Sequence, residues 1–205
     1  MSMRRRVVLG AGACGALLPS LMACSSGASE QDAARAVRRQ GTVDTGDQGM
    51  LMRELVRFAT LAPSSHNTQC WTFRLQERSI TIAPDLSRRC PVVDPDDHHV
   101  YVSLGCAAEN LAHAALANGL QGDARFDPTG AGAIAVNLDP TRAIASPLFQ
   151  AIPERQCTRG DYDGKALSTD ELRQLEQAGT GKGARVVLLT ERPAMEKVLE
   201  YVVAG

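Results

Sequence analysis

Aromatic residues are scarce in this 205-residue chain, at 4%, with a single Trp among them. A core must therefore rest on Ala, Leu and Val, whose side chains have to fill the interior at close packing. An excess of either charge is also missing: 22 basic and 23 acidic side chains leave a net charge of -1. That balance excludes a strongly basic nucleic-acid binder and an acidic solvating tail. No apolar run reaches the roughly 18 residues that a membrane-spanning helix requires. The 6 Cys include no C-x-x-C pair, which argues against a zinc ribbon and a thioredoxin-type site. What is present, 44% hydrophobic and 22% charged, is a globular chain able to bury one ordinary core or two small ones.

The first 24 residues read as an address. Arg4, Arg5 and Arg6 precede a short apolar stretch, residues 7 to 18, and small residues then lead to Leu21, Met22, Ala23 and Cys24. This is the pattern of a secretory signal, and the arginine pair ahead of Val7 resembles a twin-arginine signal, a route for proteins already folded. The last four residues are similar to a lipobox, in which Cys24 becomes a lipidated N-terminus that anchors the chain without spanning the membrane. The expected location is the periplasm or cell envelope. Gly10, Gly12 and Gly15 also match G-x-G-x-x-G, with Glu30 twenty residues on. Pro19 interrupts the helix that motif needs, and residues 25 to 47 offer no second strand to carry the acid. The glycines are therefore read as a signal core, and residues 25 to 47 as a polar linker with one short helix. Without the signal, 19 basic residues face 23 acidic ones, a net charge of -4. Cys70, Cys90, Cys106 and Cys157 remain in the body, as disulfides or as thiols.

From residue 48 the pattern becomes regular. Leu51, Leu55, Phe58 and Ala62 make an apolar stripe that predicts a helix over 48–62, stopped by Pro63. Residues 71–76 and 79–83 alternate and predict a hairpin. Asp94 as N-cap and Pro95 at the first turn open the strongest helix. Val100, Leu104, Ala107, Ala108, Leu111 and Ala115 form its stripe, and Gly119 its stop. Its density of Ala predicts a central, buried position. Residues 122–127 and 133–138 are predicted strands, and 146–153 a short helix. Ser168 and Glu171 form a capping box for a helix to about residue 178. A buried strand over 184–190 and a helix over 192–204 complete the chain. The class is α+β.

Chemistry concentrates in APSSHNTQCW, residues 62 to 71. A helix stops at a proline, and hydroxyls, an imidazole and amides follow before a tryptophan opens a strand. Such groups both donate and accept hydrogen bonds, which suits the polar edge of a planar heterocycle or a sugar-phosphate tail. The plainer alternative is a turn held by local side-chain to backbone bonds. Other clusters are weaker. His99, Cys106 and His113 lie seven apart on one helical face, about 10.5 Å per step, too far to share one metal. Glu109 and His113 read as a hydrogen-bonded surface pair. Ser64, Ser65 and His66 are adjacent and diverge, so they form no nucleophilic triad.

Ala62, Pro63, Ser64, Ser65, Asn67, Gln69 and Trp71 resemble the A-P-S-x-x-N-x-Q-P-W signature of the flavin-dependent nitroreductase family. GCAAENL at 105–111, with Ala114, Ala115, Gly119 and Leu120, is similar to that family's central helix. Arg155 and Arg159, ahead of the Ser168 box, are similar to the arginine-rich opening of a repeat that binds the FMN phosphate. The nearest resemblance is to the exported branch with two fused repeats. It implies a signal over 1–24, a linker over 25–47, a first repeat over 48–150, and an incomplete second repeat over 151–205. It further implies a nitroreductase-like fold, with a central helix on a mixed or antiparallel sheet, and a homodimer or a partner chain. The implied activity is hydride transfer from NAD(P)H through FMN to nitroaromatic or quinone-like small molecules. A non-catalytic flavin-storage protein, or a fragment dependent on a partner, are the alternatives. Ser64, Ser65, Asn67 and Gln69 would hold the flavin, and Arg155 and Arg159 its phosphate. No catalytic side chain and no metal are implied. Two departures stand out: Cys70 replaces the proline before Trp71, and Gln156 sits where a second arginine is expected.

Overall fold

The computed structural model describes residues 29–42, 46–181 and 183–204, so the expected signal over residues 1–24 lies outside the described residues. These residues divide into two compact units, one ending at Gln156 and one beginning at Cys157.

In the first unit, α1 (Glu30–Val37) and α2 (Gln48–Ala59) precede the hairpin of β1 (Trp71–Gln76) and β2 (Ser79–Pro84). The long α3 (His98–Ala117), the strands β3 (Leu120–Asp127) and β4 (Ala133–Pro140) and the short α4 (Pro147–Ala151) follow. The four strands form one antiparallel sheet in the order β1-β2-β4-β3, so β1 and β3 lie at its outer sides. The α+β class follows directly. Ile80 and Ile82 from β2 and Val136 and Leu138 from β4 point to one side of the sheet, where α3 covers them. Alternation along each strand sends every second residue to that side.

Helix α3 is the centre of the core. Val100, Leu104, Ala107, Ala108, Leu111, Ala114 and Ala115 are buried along it, between α2 and the sheet. Its alanines bring backbones close: at Gly122 in β3 a Cβ would stand 3.1 Å from the Cα of Ala112. Any larger residue there would have to push α3 and the sheet apart by a few tenths of an ångström. Gly119, at φ +78°, turns the chain from α3 into β3.

Three local expectations are corrected. Helix α2 ends at Ala59, and Leu61 and Ala62 continue as a turn, their N–H groups donating to the carbonyls of Phe58 and Ala59. Helix α3 begins at His98, four residues after Asp94, because Asp97 adopts a left-handed conformation (φ 56°) that breaks the first turn. Asp94 still caps: its buried carboxylate accepts the N–H groups of His99 (3.0 and 3.1 Å) and Val100 (3.3 Å).

The third correction lies in the second unit, which holds α5 (Thr169–Gly179) and α6 (Arg192–Ala204). The predicted capping box of Ser168 and Glu171 is formed in full. Residues 184–190 do not form the predicted buried strand. An isolated bridge joins Gly181 and Ala184, and Val187 is 71% exposed. A strand needs a neighbour to satisfy its ladder, and the described residues of this unit supply none.

Cys70, Cys90 and Cys106 are free thiols. Among the described residues no helix is long and apolar enough to cross a membrane.

Candidate functional site

Residues 63 to 69 carry the chain from the end of α2 to the start of β1. Ser64 is extended (φ -138°, ψ 153°) and leads into a one-turn 3-10 helix, Ser65–Asn67. Among the described residues, four non-glycine residues have positive φ, and three of them are here: His66 (49°), Asn67 (55°) and Gln69 (53°). Each left-handed L-residue costs about 1–2 kcal/mol, somewhat less for Asn. Such backbone persists only where its surroundings over-determine it, and it gathers at ligand sites.

Here the restraints can be named. The Ser64 hydroxyl accepts the Gln69 N–H (3.1 Å), and the Ser64 carbonyl accepts the Asn67 N–H (2.9 Å). The Trp71 N–H donates to the Gln69 carbonyl (2.9 Å), and the Arg88 guanidinium reaches the Thr68 carbonyl (3.2 Å). Buried Ala62 and Cys70 anchor the two ends in the core. Cys70 replaces the proline of the resembling motif, and its 1% exposure makes it a packing residue.

The loop separates two depressions. On one side Asn67 and Gln69 line a cavity of about 460 Å³ together with Arg155, Leu61 and the α1 residues Ala34 and Arg38. That size falls within the roughly 300–1,000 Å³ of small-molecule sites. On the other side Ser64 and Ser65 border a shallower groove of about 200 Å³ with His99, Val102 and Cys106. Three of the six expected binding residues therefore meet in one cavity. Ser64 and Ser65 face the other depression, and Ser64 also serves as an internal brace. Arg159 is exposed in the second unit. A cavity of equal volume beside Gln48, Glu77 and Arg78 has none of the expected residues and no strained backbone.

Arg155 is half-buried. Its Nε and Nη2 donate to the Leu61 carbonyl, at 3.3 and 3.1 Å, just beyond the end of α2. A guanidinium there satisfies a carbonyl that the helix leaves open. Arg155 thus has a docking role that the sequence did not reveal. Burial pushes the Cys106 thiol above its ordinary range, and the Arg155 charge opposes that shift. A thiol raised in this way stays protonated and is a poor nucleophile.

Arg38 was missed. Its Nη1 donates to the carbonyls of Pro153 (2.7 Å) and Arg155 (2.9 Å), which brings it to the cavity wall. The paired basic residues Arg38 and Arg39 at the end of the α1 segment were the only signal for it.

On the outer side of α3, His113 Nε2 lies 3.2 Å from Glu109 Oε1. The hydrogen bond from His113 holds the Glu109 carboxyl below its usual 4.5, against a smaller opposing effect of burial. A depressed carboxylate stabilises the fold above its unfolded pKa and loses that contribution as pH falls through the folded value. In His113→Ala the Glu109 titration should rise to its usual 4.5 or above, because burial is the cause that remains. Its small stability deficit at neutral pH should disappear in acid. Carboxyl chemical shifts and urea midpoints measured against pH check both.

Among the described residues no group of three or more His, Cys, Asp or Glu could hold a metal. A scan of this chain against protein-family models finds no match, and a search of curated proteins finds none either.

Proposed function

We propose that this chain is an FMN-binding oxidoreductase of nitroreductase type that passes hydride from NAD(P)H to nitroaromatic or quinone-like acceptors. The observation that carries the reading is the strained loop. Two residues of the flavin-binding signature, Asn67 and Gln69, are left-handed, and both line a cavity that also takes Arg155.

The donor set fits the group. Amide side chains present both donors and acceptors, as the heteroatom edge of a flavin ring requires. A guanidinium matches phosphate oxygens with parallel hydrogen bonds. FMN, when bound, supplies the hydride chemistry, and the protein supplies binding and orientation. Asn67 and Gln69 orient the ring edge, and Arg155 holds the phosphate. Ser64 keeps Gln69 in its left-handed conformation through the 3.1 Å bond to its N–H. Cys106, held protonated, does not compete as a nucleophile. Arg159, the second phosphate ligand that the resemblance implies, belongs to the second unit and is not part of this cavity's lining. The nitroreductase-like fold belongs to the same proposal: a central helix on an antiparallel sheet, with the loop between α2 and β1.

The test is the visible spectrum of the chain after incubation with FMN and desalting, followed by NADPH and menadione. A retained flavin band with menadione-dependent NADPH oxidation is the expected result, with Asn67→Leu losing the band. A retained band without turnover supports the flavin-storage reading. A folded sample that keeps no flavin overturns the proposal.

A further inference from the structure

Helix α1 has no buried residue, yet Ala33, Ala34, Val37 and Arg38 form one wall of the cavity. Among the described residues, its bonds to the rest of the first unit gather at its C-terminal end. Arg38 holds the Pro153 and Arg155 carbonyls, and Gln40 Nε2 donates to the Gln150 carbonyl (2.9 Å). Arg39 pairs with Glu54, and the Val37 carbonyl accepts from Arg57. Residues 29 to 40 therefore form an arm that supplies one wall of the cavity and is pinned at its C-terminal end.

The charge of that cavity is one-sided. Arg38 and Arg155 both line it, and no lining residue is acidic. Among the described residues Arg38 donates through Nη1, to both carbonyls, and its Nη2 and Nε add further donor capacity. The 2.9 Å bond from Arg38 to the Arg155 carbonyl keeps the two residues adjacent.

We propose that this arm makes the cavity selective for a ligand with an anionic tail, a phosphate monoester, and that Arg38 is the residue that reads it. Resting on the flavin reading above, this assigns to Arg38 the discrimination of FMN from riboflavin. The two flavins share the ring that Asn67 and Gln69 meet and differ only in the phosphate. A wall residue without a binding role would affect both flavins alike. A phosphate reader affects FMN alone.

The experiment measures FMN and riboflavin dissociation constants by flavin fluorescence, in the full chain, for wild type, Arg38→Gln and Ala34→Glu. Ala34→Glu leaves every arm contact in place and sets a carboxylate on the same wall. In both variants FMN affinity should fall by about tenfold or more, the loss of one charge-assisted interaction, with riboflavin unchanged. Added sodium phosphate should raise the melting temperature of wild type and not of Arg38→Gln. Equal losses for FMN and riboflavin, or no loss for either, overturn the assignment. If wild type binds neither flavin while phosphate still stabilises it through Arg38, the anion site stands and the flavin reading falls. If phosphate has no effect either, both fall.

Discussion

Replacing Glu54 with Ala is expected to lower the unfolding free energy of the first unit by about 3–5 kcal/mol. Glu54 is only 5% exposed, on the side of α2 that meets the α1 segment. Its two carboxylate oxygens lie 2.5 Å from Nη2 of Arg39 and Nη2 of Arg57. The Arg57 side chain is itself 10% exposed, sits 4.0 Å over the Phe58 ring, and donates to the Val37 carbonyl. Without the carboxylate, Arg57 would be a buried cation with no counter-charge, the costly half of a broken ion pair. Arg39→Ala should cost far less, about 1 kcal/mol or below, because the Arg39 side chain is 54% exposed and water replaces what it loses. Urea unfolding of the two variants side by side decides the matter. A Glu54→Ala variant within 1 kcal/mol of wild type would show that the cluster does not hold α2 and the arm together.

A loss of similar size, about 3–5 kcal/mol, is expected for Phe58→Ala. Phe58 is fully buried, and its ring packs against Phe149 with centroids 4.9 Å apart. Its face carries the Arg57 guanidinium, and its backbone carbonyl accepts from Asn110 of α3 (3.2 Å). One ring thus joins α2, α4 and the cation that Glu54 neutralises. In a chain with 4% aromatics few other side chains can fill the gap, so the cavity left behind should persist. Phe58→Leu, which keeps most of the volume, should recover more than half of the loss. Denaturant midpoints at constant slope measure both. The same substitution should also loosen the end of α2, one turn before the strained loop, and weaken flavin binding with it.

Elements whose sequence pattern agreed with their final surroundings were legible. The stripe of α3, the hairpin of β1 and β2, and the Ser168 capping box each rest on local spacing, and each formed within a few residues of expectation. Residues 184–190 misled because a run such as VVLL specifies burial only if a neighbour exists to bury it. The start of α3 was misplaced because nothing in PDDHH signals a left-handed Asp97. At the site, the loop was legible as a cluster of polar side chains, but its left-handed backbone was not, since Gln69 has no intrinsic preference for it. Arg155 could be named from its motif, whereas its bond to the Leu61 carbonyl spans 94 residues and leaves no local trace. Arg38 lay in a linker that composition alone marks as solvent-facing.

The strand order has a consequence at the level of crowding between molecules. With β1 and β3 outermost, their free backbone groups could template a strand from a neighbouring copy. Both carry charge along their length: Arg74 in β1, and Asp123, Arg125 and Asp127 in β3, with Arg125 Nε 2.9 Å from Asp123. An added strand would have to strip water from these groups to lie flat against the sheet. The alternation that sends Ile80, Ile82, Val136 and Leu138 inward is thus matched by charges at the margins that oppose edge-to-edge growth into fibrils.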